Sequence, residues 1–258
     1  MLELRDIVVR YGHGQGAVTA VDEVSLTVAA GSIVGLVGES GSGKSTLARA
    51  AVGLAPLTSG TILWKGAALD AHGSPPLQYV FQDPYASLNP RMSVGASIAE
   101  GLPRASGRRE RPARVTELLE MVRLDPGDVH KRPRQLSGGQ RQRVAIARAL
   151  AAEPEVLIAD EITSALDVSV QGAVLNLLKE IQTRTGVGIL FISHNLAVVR
   201  YMADSIAVMK SGRLVEHGTT EDVIERSEHP YTKQLLEAIP TVTMGQGVVG
   251  SNPVVPTA

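Results

Sequence analysis

The strongest constraint on the fold lies at Gly38-Glu39-Ser40-Gly41-Ser42-Gly43-Lys44-Ser45, which fits the spacing G-x-x-x-x-G-K-[ST]. Glycines let a backbone wrap closely round a phosphate, so that several N–H groups point inward together. The flanks suit such a loop. Ser32–Val37 is a short, nearly all-apolar run, the type buried on both faces of a parallel sheet. Lys44 to Val52 reads as a helix, and a helix aims its positive N-terminus at the same anion. In that setting Lys44 neutralises the β- and γ-phosphates and Ser45 Oγ ligates Mg²⁺. The competing reading is a plain flexible Gly/Ser turn, and the strand before it and the helix after it weigh against that.

A second apolar run, Val156–Ala159, ends in Asp160 and Glu161. In an open parallel sheet the carboxyl ends of the strands face the ligand crevice. Asp160 is therefore expected to reach Mg²⁺ through water, and Glu161, one residue further, to polarise an attacking water. Alone, the pair reads equally well as a solvated strand end; the phosphate loop favours the functional reading.

The rest of the chain alternates strand and helix. Leu2, Leu4, Ile7 and Val9 recur near period 2, as do Val24, Leu26 and Val28 before Gly31. From Asp83 to Gly107 the chain is rich in Pro, Ser and Gly. Arg104, Arg108, Arg109, Arg111 and Arg114 then form a basic cluster against Glu110, and Val115, Leu118, Leu119 and Val122 mark a helix face. Helices are expected at Gly139–Ala152, around Val170–Ile181 and at Leu196–Met202, with strands at Val187–Ile192 and Ser205–Met209. This order argues for an α/β core with a parallel sheet. Gly245–Ala258 lacks any period and is expected to fray.

Composition removes several classes. With 44% hydrophobic residues and a formal net charge of −1, the 258-residue chain is not disordered and has no global basic footprint for nucleic acid. It contains no Cys, which excludes disulfides, thiolate zinc and cysteine-ligated iron–sulfur clusters. No run reaches the roughly 18 apolar residues needed to span a bilayer, and the N-terminus lacks the apolar core of a secretory signal. Work at a membrane would need another chain to hold it there.

Leu136-Ser137-Gly138-Gly139-Gln140-Arg141-Gln142-Arg143 opens the next helix. Ser137 with Gln140 three residues on is a capping box. It can be read as a well-capped helix and nothing more. The two glycines also expose N–H groups at the positive end of the dipole, a second anion site. Two molecules placed head to tail could close one nucleotide between the first site of one and the second site of the other.

At this point the chain resembles the ATP-binding cassette ATPases of ABC transporters. LSGGQRQR looks like their signature motif, and the match runs through nearly the whole chain in family order. The resemblance implies an ABC-type P-loop nucleotide-binding fold: a parallel-sheet core, an N-terminal antiparallel β subdomain and an inserted helical subdomain at about 84–153, within an ATPase domain of 1–228. It implies that Tyr11 stacks on adenine and that Gly38–Thr46 cradles the phosphates. Gln82, in Phe81-Gln82-Asp83, matches the glutamine that touches Mg²⁺ and couples to the membrane subunit. Ser164–Asp167 matches the loop at the dimer interface, and His194 the switch histidine near the γ-phosphate. The ligands of Mg²⁺ would be Ser45, Gln82 and Asp160, and the catalytic groups Glu161, His194 and Lys44. Ser137–Gln140 would close ATP on the partner.

Phe81–Arg91 and His229-Pro230-Tyr231-Thr232 look like the ATPase subunits of the oligopeptide/dipeptide/nickel importer group, with 229–258 as a short C-terminal extension. His229 lacks ligand types at i+3 and i+4, and Glu225 at i−4 makes a weak metal pair, so the segment is read as structural docking. The resemblance implies two integral-membrane permeases, a second cassette ATPase (a different chain in many known importers), an extracytoplasmic binding protein and no nucleic acid, at the cytoplasmic face of the cell membrane. Ile162 stands where the family usually has Pro, with little effect expected. Asn195 stands where Asp is usual, which either loosens the loop orienting His194 or is neutral. The cysteine cluster of many relatives is missing, and the chain is closer in length to nickel-importer subunits, which keeps nickel open as cargo. A non-transport cassette acting on DNA or ribosomes fits less well: the interval from Lys44 to Ser137 leaves no room for a coiled-coil arm, there are no zinc cysteines, only one cassette is present, and no aromatics interleave with the arginine cluster.

Overall fold

The alternating N-terminal segments build a sheet of their own, and the all-apolar runs build a second. The computed structural model describes residues 1–12, 14–69, 76–103, 105, 107 and 109–238. In chain order the elements are β1 (Leu2–Tyr11), β2 (Val18–Val28), β3 (Ile33–Val37), α1 (Lys44–Ala51), β4 (Ser59–Trp64), β5 (Ala67–Ala68) and β6 (Leu77–Val80), then α2 (Pro84–Ser87), α3 (Val94–Ala99), α4 (Arg111–Met121) and α5 (Gly138–Ala151). They continue with β7 (Val156–Asp160), α6 (Val168–Thr185), β8 (Gly188–Ser193), α7 (Leu196–Met202), β9 (Ser205–Lys210), β10 (Arg213–Thr219), α8 (Thr220–Glu225) and α9 (Pro230–Glu237).

The first sheet is antiparallel in the order β2-β1-β4-β5; the second runs β10-β9-β3-β8-β7-β6 and is parallel except for β10 against β9. Strands β3, β7 and β8 are buried along their whole length. Their side chains alternate between two cores, as a period of 2 demands. Val34, Leu36, Val156, Ile158, Leu190 and Ile192 face the antiparallel sheet and α1. Ile33, Val37, Leu157, Ala159, Ile189 and Phe191 face the core formed with α4, α5, α6 and α7.

Helices α2–α5 lie between β6 and β7 in the chain. Val115, Leu118 and Leu119 of α4 are buried, as the i, i+3, i+4 spacing expects. Two arginines of α5 fasten the segment after β6 to that helix. The Arg141 guanidinium lies 3.6 Å from the Tyr85 ring centroid, and Arg148 Nη1 donates to the Ser87 carbonyl at 2.5 Å. In the basic cluster, Arg114 pairs with Glu117 at 2.8 Å and with Glu153 at 3.1 Å; Arg104 and Arg108 lie outside the described residues, as does the tail at 245–258. No helix among the described residues is long and apolar enough to cross a membrane.

The register sets the site. Val37 is opposite Ser193, Asp160 opposite Ile192, and Val80 opposite Ala159. The phosphate loop, Asp160–Glu161, His194 and Gln82 therefore all leave the same carboxyl edge of adjacent parallel strands, where open α/β sheets bind ligands.

Candidate active site

The loop after β3 depends on glycine at two close approaches. A Cβ at Gly38 would stand 2.1 Å from the Met209 carbonyl oxygen, and one at Gly43 would stand 2.2 Å from that of Ala20. Gly43 also has φ 103 and begins α1 with no side-chain cap, so the helix presents bare N–H groups to the loop. Lys44 is buried beneath the loop. Its Nζ donates to the carbonyls of Gly38 and Glu39, both at 2.8 Å, and to Ser42 Oγ at 3.3 Å. Burial pushes its ammonium below the ordinary lysine value, and the carboxylates of Glu161, Asp160 and Glu39 pull against that shift. A desolvated cation, uncapped N–H groups and Cβ-free walls fit a polyphosphate. Ser40 and Gly41 form the exposed tip, and Thr46 follows in the first turn of α1.

Two hydroxyls meet the buried Asp160 carboxylate. Ser45 Oγ donates to Oδ1 at 2.9 Å, and the Tyr79 hydroxyl donates to Oδ2. Burial, and then the bond to Asp160, pushes the Tyr79 phenol far above its ordinary value, so it remains a donor. Ser45 Oγ and Asp160 Oδ1 are hard oxygen ligands side by side, the chemistry Mg²⁺ prefers.

Glu161 follows directly with φ +47. A non-glycine residue in the left-handed region is held there by its surroundings, and such residues cluster at functional sites. Its N–H donates to the Ile192 carbonyl at 3.0 Å. Gln82 Nε2 donates to Glu161 Oε2 at 3.1 Å and to Ser164 Oγ at 3.2 Å. His194 Nδ1 lies 3.4 Å from Glu161 Oε1. The structure thus brings Gln82 to Glu161, while Ser45 and Tyr79 are the side chains bonded to Asp160.

The second glycine motif lies at the start of α5. Ser137 Oγ accepts from Gln140 N at 3.3 Å, and Gln140 Oε1 accepts from Ser137 N at 2.9 Å. A Cβ at Gly139 would stand 2.3 Å from Val170 Cγ1, and one at Gly138 would stand 3.3 Å from Leu166 Cδ2. The signature is therefore packed against the loop at 164–167 and the start of α6. Asp167 caps α6, accepting from Val170 N at 2.9 Å and Ser169 Oγ at 2.7 Å. Tyr11 ends β1, with 43% of its surface exposed.

Residues 21–164 match the ABC transporter family, and residues 215–255 match the C-terminal region of oligopeptide/dipeptide transporters. The oligopeptide transport ATP-binding protein OppF of Bacillus subtilis (strain 168) is 47% identical over 253 residues, covering 93% of this chain and 82% of that protein. The chain is an ABC transporter ATP-binding protein of the oligopeptide/dipeptide group. A putative peptide import ATP-binding protein of Brucella abortus (strain 2308) is 48% identical over 242 residues, covering 90% of this chain and 72% of that one. Among solved structures, the ATP-binding cassette MJ0796, a dimer in a post-hydrolysis state bound to ADP and Pi, is 29% identical with a TM-score of 0.75, covering 85% of this chain and 99% of that one. The cbiO1 protein of Clostridium perfringens, part of the transporter complex cbiONQ, is 29% identical with a TM-score of 0.77, covering 88% and 91%. The fold is the ABC-type nucleotide-binding domain and the chain is an ATPase of that family.

The departures from the family pattern have structural settings. Ile162 is 1% exposed within the main core. Asn195 caps α7, its Oδ1 accepting from Ala197 N at 3.0 Å and Val198 N at 3.4 Å, which is the acceptor role a carboxylate would fill there. Two residues at the ABC ATPase site have no site role in the sequence reading, which names Tyr231 only within a docking segment. Tyr79 is one of several apolar-looking residues in β6, and which face it takes is set by pairing with Ile158 of β7. Tyr231 reaches the phosphate loop from α9, where its hydroxyl accepts from Glu39 N at 2.9 Å.

Proposed function

We propose that the chain is the ATP-hydrolysing motor of an importer of di- and oligopeptides, working at the cytoplasmic face of the cell membrane. The observation that carries this is the Glu161 carboxylate, set beside the Asp160–Ser45 pair with Gln82 at one oxygen and His194 at the other. In this reading Gly38–Thr46 cradles the phosphates and Lys44 neutralises them. Tyr11 stacks on the adenine. Mg²⁺, held by Ser45, Asp160 and Gln82, would offset charge on the β- and γ-phosphates. Glu161 orients and polarises the attacking water, and His194 with Lys44 stabilises the charge that develops on the γ-phosphate. Ser137–Gln140 closes a nucleotide held by a second cassette, and the partner's equivalent residues close the one held here. The domain reading assigns 1–228 to the ATPase domain, about 84–153 to its helical subdomain and 229–258 to a C-terminal extension.

The partners of this reading are two permease subunits, a second cassette ATPase and an extracytoplasmic binding protein. A groove of about 410 Å³ beside the Gln82 segment supports a permease contact; Leu54, Phe81, Glu100 and Arg148 are among its lining. Leu54 in that lining is an apolar residue left exposed, at 58%, and an apolar group of this kind suits a docked helix. The match at 215–255 and the peptide-import names of the relatives favour peptide over nickel as cargo.

The test is Glu161→Gln in the assembled transporter. ATP binding should persist while turnover falls by about 100-fold or more, the range of general acid–base contributions. Turnover near that of the unmodified complex removes Glu161 from its role. Uptake of labelled dipeptides, lost with the same variant, checks the cargo; nickel uptake lost in its place replaces it.

A further inference from the structure

The peptide unit joining Gly38 to Glu39 is held at both ends. Its carbonyl accepts from Lys44 Nζ at 2.8 Å, and its N–H donates to Tyr231 Oη at 2.9 Å, a partner 192 positions along the chain. Several contacts deliver that hydroxyl. The Glu216 carboxylate accepts from Glu228 N at 2.8 Å and His229 N at 3.3 Å. His229 Nδ1 caps α9 by accepting from Tyr231 N at 3.1 Å, with Pro230 in the first turn. Tyr231 is 2% exposed and Thr232 is fully buried. Lys210 Nζ, at the end of β9, lies 4.5 Å from the Tyr231 ring centroid. The segment His229–Thr232 is thus pinned at its backbone, its cap and its ring.

We propose that Tyr231 is a positioning residue for ATP, acting through the Gly38–Glu39 peptide. This rests on the reading of Gly38–Thr46 as the ATP loop. The physical basis is the fixed direction of one peptide plane. A rotation of that plane would turn its carbonyl away from the Lys44 ammonium and bring its N–H towards it. The ammonium polarises the carbonyl and so strengthens the N–H as a donor to Tyr231. When Lys44 turns to a phosphate, its bond to Gly38 weakens and the Tyr231 hydroxyl remains as the restraint on the plane. A loop already held in its cradle conformation binds without the cost of ordering it, and a loop that samples other conformations binds more weakly in proportion. The C-terminal extension would in this way set the affinity of a site formed almost 200 residues earlier.

Tyr231→Phe keeps the ring over Lys210 and removes only the acceptor. ATP titrated into the full-length chain should bind about fivefold more weakly, the equivalent of one ordinary hydrogen bond. The melting temperature of the nucleotide-free chain should change little, and amide hydrogen exchange should quicken within residues 38–42 and not elsewhere. Lys44→Ala is measured alongside. If Lys44→Ala weakens binding and Tyr231→Phe does not, the proposal falls and the ATP-loop reading stands. If neither changes affinity, both fall. A lower melting temperature with exchange quickened throughout the chain, at unchanged affinity per folded molecule, makes Tyr231 a packing residue only and also overturns the proposal. The unmodified chain supplies an independent check: the Glu39 amide should exchange far more slowly than that of exposed Ser40, and equal rates contradict the contact directly.

Discussion

Two helix N-termini in this chain carry glycines suited to an anion, and they are finished differently. The first, at α1, has no cap of its own; the chain surrounds it with Asp160 from β7 on Ser45 and Tyr231 from α9 on Glu39, and the helix's own first residue, Lys44, is buried beneath the loop. The second, at α5, is closed by its own residues, with Ser137 and Gln140 bonded to each other's backbone. Arg141, the next residue, turns inward to the carbonyls of Leu136 and Pro133 and to the Tyr85 ring. One terminus is equipped with its own cation, acid and base. The other offers N–H groups and a serine, with the adjacent arginine turned inward to backbone carbonyls. This contrast suits the proposed arrangement, in which a chain completes one site and lends its α5 terminus to a second cassette; the solved relative MJ0796 is itself a dimer.

Substitutions can break or sharpen this contrast. Lys44→Ala should have the largest effect on nucleotide, weakening ATP binding to the full-length chain by about tenfold or more, since it removes a charge-assisted contact from a desolvated site. Gly139→Ala should act on the second terminus through packing. Its Cβ would collide with Val170 Cγ1 at 2.3 Å, so the valine side chain must turn or α5 must shift against α6. A cost of about 1–3 kcal/mol, the usual range for overpacking, should appear as a lowered melting temperature. Smaller again is Ser137→Ala, which opens the capping box and should cost about 1 kcal/mol of stability by denaturant titration. In the assembled transporter it should also slow turnover, because in the proposed arrangement Ser137 closes the partner's nucleotide.

Much of the site was legible because it sits on segments whose chemistry is local. Strands β3, β7 and β8 are short apolar runs, and each leads into residues whose type has a meaning for phosphate chemistry: Gly38 after β3, Asp160 and Glu161 at the end of β7, and His194 after β8. The α5 start was readable from Ser137 and Gln140, and the bounds of α7 agree with the expected Leu196–Met202. The elements that went unread have weaker local signals. Strand β4 is Ser-Gly-Thr-Ile-Leu-Trp with its first three residues exposed, and β10 is only partly buried along its length. Helix α3 is six residues with a glycine at its second position. Tyr79 and Tyr231 could not be placed by any local rule. One depends on which face of β6 meets β7, and the other on a docking event nearly 200 residues from its partner. Gln82 shows a further limit: motif order identified it, but its hydrogen bonds to Glu161 and Ser164 follow from the tertiary structure.

The most direct test of the central claim is ATP binding by the full-length chain alone, measured by calorimetric titration for the unmodified protein, Lys44→Ala and Ser137→Ala side by side. The account predicts that Lys44→Ala weakens binding by about tenfold or more and that Ser137→Ala leaves it unchanged, because a single chain holds nucleotide only at the α1 terminus. Weakening by Ser137→Ala to the same degree, or no change with Lys44→Ala, would contradict it.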